Sequence, residues 1–232
     1  MGFEFERAVA VMPQQIRRRP VFARVYAGLF EPGLERAGVA EYRRRLLAGL
    51  SGRVVEVGAG HGPNFGFYPP EVTRVAAVEP EPLLRARAVR AAEEAPVPVE
   101  VIDGAAERLV FGAGEFDAAV ACMTLCSVAD PAVALAELAR VVKPGGRLRF
   151  FEHVRSESAR IRRVQRAVDA TVWPLLVGGC HTGRDLLSAL GAAGFTVTEV
   201  ERFRFPDTAF PSPAAEHVLG TAVLGSRGED LS

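Results

Sequence analysis

The residues best suited to chemistry in this 232-residue sequence form a short glycine-rich turn. The stretch Val54–Asn64 reads VVEVGAGHGPN, so a β-branched run leads into Gly58, Gly60 and Gly62. Glycine tolerates positive φ and lets the backbone approach a ligand closely. When such a turn follows a strand of an open α/β sheet, it lies at the carboxyl edge, where ligands bind. The turn therefore predicts a ligand site at that edge.

Carboxylates stand at the ends of three successive strand-like runs. Glu56 precedes the first glycine by two residues, Glu79 closes the second run, and Asp103 follows the third. A carboxylate after the second strand can accept both hydroxyls of a ribose. Together the three acids favour a ligand that has a ribose, hydrogen-bond donors and positive charge. The alternative is that each acid only caps the following helix.

A phosphate-bearing dinucleotide matches the turn less well. Its fingerprint, G-x-G-x-x-G, requires a third glycine at position 63, where this sequence has Pro63. The carboxylate of Glu56 also disfavours a pyrophosphate beside the turn. We therefore favour a ligand without phosphates over a nicotinamide cofactor.

The elements that must position these residues follow from an alternation of apolar runs and amphipathic stretches. Apolar runs predict strands at 53–57, 75–78, 99–102, 118–123, 148–151, 195–201 and 216–224. Amphipathic stretches predict helices at 81–94, 131–142 and 183–193. This alternation is typical of an α/β fold with a parallel sheet and helices on both faces. The strands are almost continuously apolar, as expected when both faces of the sheet are covered.

The sequence divides into a helical cap over residues 1–50 and an α/β domain over 51–225. Within that domain, we predict an insertion with an arginine-rich helix at 156–181. After the domain, residues 226–232 form a polar tail.

The 28 basic and 28 acidic residues balance to zero net charge, which disfavours nucleic acid as a partner because phosphate binding needs a positive surface. Three cysteines are too few for a disulfide framework. No run approaches the ~20 apolar residues of a membrane span, so we expect a cytoplasmic protein.

The sequence resembles the class I S-adenosylmethionine-dependent methyltransferases over residues 22–224, and within them the group that methylates alkyl thiols. The glycine turn and the Lys-Pro-Gly-Gly turn at 143–146 carry the resemblance to the superfamily. The resemblance to the thiol group rests on 64–70, 124–128, 151–154, 173 with 178–180, and 217–220.

The resemblance implies a Rossmann-like sheet of seven strands, the last antiparallel, with S-adenosylmethionine across the first four. It assigns the three glycines to the methionine and ribose portion, Glu56 to the amino group and Glu79 to the ribose diol. The remaining cofactor-binding residues that we predict are Asn64, Pro80, Asp103, Gly104, Ala105, Thr124, Leu125 and Cys126. Asp103, Gly104 and Ala105 would contact the adenine, and Thr124 to Cys126 would contact the cofactor near its methyl group.

Methyl transfer from a sulfonium is an in-line displacement that mainly requires orientation and exclusion of water. A thiol acceptor has a pKa near ~8.5, so it needs only a weak base or a nearby positive charge. His153, which follows the fifth strand, and His181, in the insertion, are the candidate catalytic residues; each has a purely structural alternative. Cys122 and Cys126 have no second ligand pair, so we predict no metal site.

Several acceptors remain open besides an alkyl thiol. A phospholipid amine and a quinone ring carbon are alternatives, because such enzymes share both turns, and a non-catalytic cofactor-binding protein is a further one. A nucleic-acid base is disfavoured by Thr124–Ser127, which stands where DNA N-methyltransferases have Asn/Asp-Pro-Pro-Tyr.

Arginine clusters at 17–19, 43–45 and 160–166 read most simply as solvated helix faces. The alternative for these clusters is weak peripheral contact with an anionic membrane surface.

Overall fold

A seven-stranded sheet forms the centre of the part of the chain that the computed structural model describes, residues 20–25, 28, 30–171, 173–206 and 212–226. Its strands are β1 Gly52–Val57, β2 Val72–Val78, β3 Val99–Ile102, β4 Phe116–Cys122, β5 Val142–His153, β6 Phe195–Arg204 and β7 Glu216–Leu224. Their spatial order is β3-β2-β1-β4-β5-β7-β6. The pairs among β1 to β5 are parallel, and β7 is antiparallel to both β5 and β6. The predicted fold class, including the antiparallel last strand, is confirmed.

The order of the strands reverses between β1 and β4, because the chain first builds outward to β3 and then returns to the other side of β1. Such a reversal opens a crevice at the carboxyl ends of the two central strands, the usual place for a ligand in an open α/β sheet. Gly58 follows β1 directly and Met123 follows β4 directly. Both predicted ligand-contacting loops therefore begin at this crevice.

Eight helices accompany the sheet within the described residues. They are α1 Pro20–Val25, α2 Glu31–Arg36, α3 Val39–Leu47, α4 Pro82–Glu93, α5 Pro131–Val141, α6 Ala159–Asp169, α7 Trp173–Leu176 and α8 Leu186–Ala192. The start of α5 is set by Asp130, whose carboxylate accepts hydrogen bonds from the N–H groups of Ala132 and Val133, as a helix N-cap does. The insertion predicted at 156–181 contains α6 and α7. The predicted tail lies outside the described residues from 227 onward, as does 1–19 of the predicted cap.

The Lys-Pro-Gly-Gly turn differs from the prediction, since it lies inside a continuous strand. Phe116 pairs with Val142 and Ala118 pairs with Arg147, so β5 contains extra residues over that interval and forms a bulge. Gly145 has φ 76°, which a residue with a Cβ rarely adopts. The bulge explains why β5 begins six residues earlier than the apolar pattern indicates.

Both faces of the sheet are buried at its central strands β1 and β4, which accounts for the apolar runs of these strands. On one face Val55 and Val57 pack with Leu135 and Leu138 of α5 and with Leu190 of α8. On the other face Val54 and Val75 pack with Leu46 and Leu47 of α3 and with Ala88 of α4. The alternation of Val54 and Val55 between the two cores follows from the period of two residues in a strand.

One residue of the predicted solvated arginine clusters is instead fully buried. The side chain of Arg43, on α3, is 1% exposed. Its guanidinium donates to the carboxylate of Glu31 at 2.5 Å and to Asn64 Oδ1 at 2.9 Å. A buried charge persists only when it is paired and hydrogen-bonded, and these two partners connect α2 and α3 to the segment after the glycine turn. The interpretation of 43–45 as a solvated face is therefore wrong for Arg43, whereas Arg44 and Arg45 are exposed.

Within the described residues, no helix is both long enough and apolar enough to cross a bilayer.

Replacing Arg43 by methionine keeps most of the apolar stem but leaves the Glu31 carboxylate buried without this cation. We expect Arg43→Met to lower the free energy of unfolding by about 3 to 5 kcal/mol, measured by urea unfolding. Arg44→Ala is the matched control, because Arg44 pairs with an exposed Glu41 and its loss should change stability by about 0.5 kcal/mol or less. Equal stability losses in the two variants would contradict this role of Arg43.

Candidate active site

The glycine turn after β1 provides both close packing and open space. Gly58 has φ 65°, and a Cβ at this position would lie 2.3 Å from Thr124 Oγ1, so only glycine lets the turn meet the loop after β4. Gly60 has φ 61°, and a Cβ built there would meet no atom within 4 Å. The turn therefore packs against the protein at Gly58 and faces open space at Gly60.

Glu79 and Asp103 lie at the ends of β2 and β3, as predicted. Glu79 accepts hydrogen bonds from the N–H groups of Gly60 and Glu81, each at 2.8 Å, and burial raises the pKa of its carboxyl group. Each carboxylate oxygen keeps a further lone pair for a ligand hydroxyl. The side chain of Asp103 is 62% exposed and pairs with Arg85 Nη1 at 3.0 Å. The same nitrogen of Arg85 donates to the carbonyl oxygens of Glu79 and Pro80, so this arginine ties the two strand ends together.

Gly104 and Ala105 follow Asp103 directly. A Cβ at Gly104 would lie 3.1 Å from Val78 Cγ1, so its lack of a side chain allows the loop to pack closely on β2. Ala105 forms an isolated antiparallel bridge with Arg108. These contacts hold the loop after β3 against the end of β2.

Glu56 is buried beneath the glycine turn. It accepts hydrogen bonds from Asn64 Nδ2 at 2.7 Å and from the Tyr68 hydroxyl at 2.8 Å. Burial raises the pKa of Glu56 to about 7, against the lowering effect of these two hydrogen bonds. Asn64 also accepts from Arg43, so both Glu56 and Asn64 belong to the buried network that supports the turn.

Glu152, near the end of β5, organises the loop after β4. Its carboxylate accepts hydrogen bonds from three consecutive backbone N–H groups, those of Thr124 and Leu125 at 2.8 Å and that of Cys126 at 3.1 Å. Glu152 is completely buried, and burial raises its pKa although the three N–H groups lower it. The loop begins at Met123, whose φ of 52° is unusual for a residue other than glycine. This backbone strain is localised at the predicted ligand loop.

His153 lies beside two thiols that are distant from it in the sequence. Its Nδ1 is 3.4 Å from Cys126 Sγ and 3.5 Å from Cys180 Sγ, and the three donor atoms lie within 4.8 Å of one another. The hydrogen bond with the Cys126 thiol, reinforced by His153, lowers the pKa of Cys180 to about 5 despite its burial. Burial lowers the pKa of His153, but its interactions with Cys180 outweigh the burial and raise that pKa overall. We call Cys126, His153 and Cys180 the thiol–imidazole cluster.

The second predicted histidine, His181, contacts the loop after β4 through its backbone, and its ring contacts Gly179 and Arg184. Its N–H donates to the carbonyl oxygen of Cys126 at 2.8 Å, and its ring Nδ1 lies 2.8 Å from the carbonyl oxygen of Gly179. Arg184 completes the contact, because its guanidinium donates to the carbonyl oxygens of Leu125 at 2.6 Å and Val128 at 2.7 Å. The loop that precedes α8 is thereby held against the loop after β4.

A cavity of about 260 Å³ opens beside these loops. Its lining includes Leu125, Cys126, Pro131, His153, Arg184 and Leu186. His153 and Cys126 face this cavity, whereas neither Cys180 nor His181 is part of its lining. The volume suits a small molecule, since pockets for drug-sized ligands begin at ~300 Å³.

Sequence reasoning missed Glu152, Arg184, Arg85 and Arg43. A signal for Glu152 was present, because an acid that follows Phe150 and Phe151 in an apolar strand must find partners when it is buried. The other three are arginines in helices or loops, where charge is ordinary and sequence position does not reveal burial. The cluster was missed for another reason: its residues are 27 positions apart in each step, and no local spacing brings them together.

The arginines of α6 fit the predicted solvated face in part. Arg160, Arg163 and Arg166 are exposed, and Leu175 and Leu176 of α7 are 68% and 66% exposed. Contact of this surface with an anionic membrane stays a prediction, as does cytoplasmic localisation. The cluster at 17–19 lies outside the described residues.

Comparisons with known proteins agree with this geometry. A family model described as a methyltransferase domain matches residues 55–150. Human thiol S-methyltransferase TMT1A is 33% identical over 164 residues, which cover 68% of this chain and 67% of that protein. Human thiol S-methyltransferase TMT1B is 32% identical over 182 residues, with 76% and 73% covered. The structure of geranyl diphosphate methyltransferase in complex with S-adenosylmethionine has the same fold, with a TM-score of 0.62 at 16% identity, covering 87% of this chain and 89% of that one.

Replacing Glu152 by glutamine turns one acceptor oxygen into an NH₂ group that faces backbone N–H donors. We expect Glu152→Gln to lower the free energy of unfolding by about 2 to 4 kcal/mol and to speed hydrogen exchange at residues 124–126. Glu107→Gln is the matched control, because Glu107 accepts a single, exposed N–H bond from Ala129. Unchanged exchange at 124–126 in Glu152→Gln would show that the carboxylate does not hold the loop.

Proposed function

Because this chain belongs to the class I S-adenosylmethionine-dependent methyltransferases and lies close to the thiol S-methyltransferases among them, we propose that it methylates the thiol of a small molecule. The methyl donor is S-adenosylmethionine. The identity of the acceptor and the roles of individual residues are the proposal.

The residues at the carboxyl edge fit the donor. Gly60 borders open space, and the Glu79 carboxylate beside it keeps lone pairs that can accept the hydroxyls of a ribose. Asp103 is exposed at the next strand end, where it can contact the adenine together with Gly104 and Ala105. When bound, S-adenosylmethionine supplies a methyl group activated by the positive charge on its sulfur. An acidic edge suits a cationic cofactor better than it suits a phosphate.

The cavity of about 260 Å³ is the observation that carries the acceptor proposal. It is bounded by Leu125 and Cys126 of the loop that we expect near the methyl group, and by His153 at the end of β5. Leu186 and Ala189 of α8 add an apolar wall. A small apolar thiol fits such a space, whereas a phospholipid with two acyl chains or a long-tailed quinone would have to reach it with only part of the molecule.

The chain's own task is to orient the acceptor, exclude water and favour the thiolate. Arg184 places a cation on the cavity wall, and a positive charge near a thiol favours its ionised form. The loop from 124 to 128 is fixed on both sides, because its N–H groups donate to Glu152 and its carbonyl oxygens accept from Arg184. Holding two reactants in line on a rigid loop makes a bimolecular step effectively unimolecular, which lowers its activation barrier.

The assignment of the ribose to Glu79 is tested by cofactor affinity. We expect Glu79→Ala to weaken S-adenosylmethionine binding by about 10-fold or more, because hydrogen bonds to a charged acceptor contribute about 1.5 to 3 kcal/mol. Isothermal titration calorimetry measures the change. Glu71→Ala serves as the control, since Glu71 is an exposed residue that precedes β2 at its other end. Equal affinities in Glu79→Ala and the unmodified protein would overturn this assignment.

The acceptor is tested with a panel of alkyl thiols, lipid amines and quinols. We expect S-methylated thiols as the products, identified by mass spectrometry after incubation with S-adenosylmethionine. Methylation of lipid amines or quinols without thiols would refute the proposed acceptor. Tight cofactor binding with no methylated product from any class would instead favour a non-catalytic binding protein.

A further inference from the structure

The thiol–imidazole cluster has the geometry of a metal site. With Zn–S bonds of about 2.3 Å, a Zn–N bond of about 2.0 Å and tetrahedral angles, sulfur and nitrogen ligands lie about 3.5 Å apart. The observed distances from His153 Nδ1 to the sulfurs of Cys126 and Cys180 are 3.4 and 3.5 Å. Two thiolates and one imidazole are also the donor types that select zinc over harder cations.

We propose that Cys126, His153 and Cys180 bind one Zn²⁺ ion whose fourth position is open to the acceptor cavity. Cys126 and His153 line that cavity, whereas Cys180 is not part of its lining. A zinc site with three protein ligands and one open position is the arrangement found in catalytic rather than structural sites. From the sequence we predicted no metal site, because Cys122 and Cys126 have no second ligand pair nearby in the chain; the proposed zinc site replaces that prediction.

The surroundings hold the ligands in place before any metal binds. The backbone of Cys126 donates to Glu152 and accepts from His181, and the sulfur of Cys126 lies 3.4 Å from Ser127 Oγ. All three ligands come from loops or strand ends that these contacts connect. Second-shell hydrogen bonds of this kind orient metal ligands and commonly change metal affinity by about 10 to 100-fold.

The charges of the site also suit the ion. Zn²⁺ with two cysteine thiolates and a neutral imidazole carries no net charge, and the buried Glu152 carboxylate is opposed by the guanidinium of Arg184, whose charge also acts on both cysteines. A substrate thiolate in the fourth position would bring one negative charge beside the cationic methyl donor. The inference rests on the proposed function, because it explains how the acceptor thiol is activated.

The reaction balances without an oxidant. The acceptor thiol loses its proton to solvent as its sulfur binds zinc, because a thiol coordinated to zinc is deprotonated. A carbon–sulfur bond then forms as the donor's bond from sulfur to methyl breaks, and the bonding electron pair remains on the donor sulfur. The neutral thioether leaves zinc, whose oxidation state does not change.

The first test is metal binding by the full chain. We expect about one zinc per protein by mass spectrometry of the metal, and sulfur-to-cobalt charge-transfer absorption after replacement by Co²⁺. Cys126→Ser and Cys180→Ser should each weaken Zn²⁺ binding by more than ~10-fold, while Cys122→Ser, a cysteine outside the cluster, should bind normally. Thermal unfolding establishes that each variant is folded. Absence of bound metal, or equal affinity in all three variants, would overturn the proposal.

The second test separates the metal from the methyltransferase activity. Adding an alkyl thiol to the Co²⁺ protein should change its absorption spectrum, and removing the metal should lower thiol methylation by about 10-fold or more without changing the affinity for S-adenosylmethionine. Full thiol methylation by metal-free protein would refute the activation of the acceptor thiol by zinc and leave the proposed function intact. A thiol-dependent cobalt spectrum in a protein that methylates only other acceptors would refute the proposed function and leave the metal site standing.

Discussion

The hydrogen bonds between the Glu152 carboxylate and three successive backbone N–H groups are the interaction on which the site depends. A carboxylate with no exposure to solvent carries a large desolvation cost, and the N–H groups of Thr124, Leu125 and Cys126 offset it. The same three groups would otherwise be unpaired at the end of β4. The carboxylate and the loop N–H groups therefore supply each other's hydrogen-bond partners. His153 is the next residue along β5, so the same constraint sets its position beside Cys126.

A second buried charge performs a similar task on the other side of the crevice. Arg43 joins α3 to Glu31 and Asn64, and Asn64 in turn bonds to Glu56 beneath the glycine turn.

Although the net charge of the protein is zero, its acidic and basic residues lie in different places. Acids gather at the carboxyl ends of the strands, and two arginines that support the loops are buried or half-buried. The edge that we propose for the cofactor is locally acidic, which matches a sulfonium better than a polyanion.

The loop after β4 stands between donor and acceptor in the proposed reaction. Thr124 donates to the carbonyl oxygen of Gly58 and so contacts the turn that would hold the donor, while Leu125 and Cys126 border the acceptor cavity. One rigid segment can therefore align both substrates. In the proposed zinc site, the thiol–imidazole cluster would add chemical selectivity, because zinc held by two sulfurs and an imidazole nitrogen itself binds thiols. The size of the cavity and the chemistry of the zinc site would then both favour a small thiol as the acceptor.

The sequence alone determined the fold class and the acidic, glycine-lined edge, and the predicted strand and helix positions differ from the structure mainly at their ends. These features are local: a run such as 118–121 is apolar because both faces of the sheet are covered there, and Gly58 follows β1 directly. Only the tertiary structure decided the burial of Arg43, the role of Glu152, and the meeting of Cys126, His153 and Cys180. Their partners lie on different strands and loops, and the distance between them is set by sheet order and register, which no local pattern encodes.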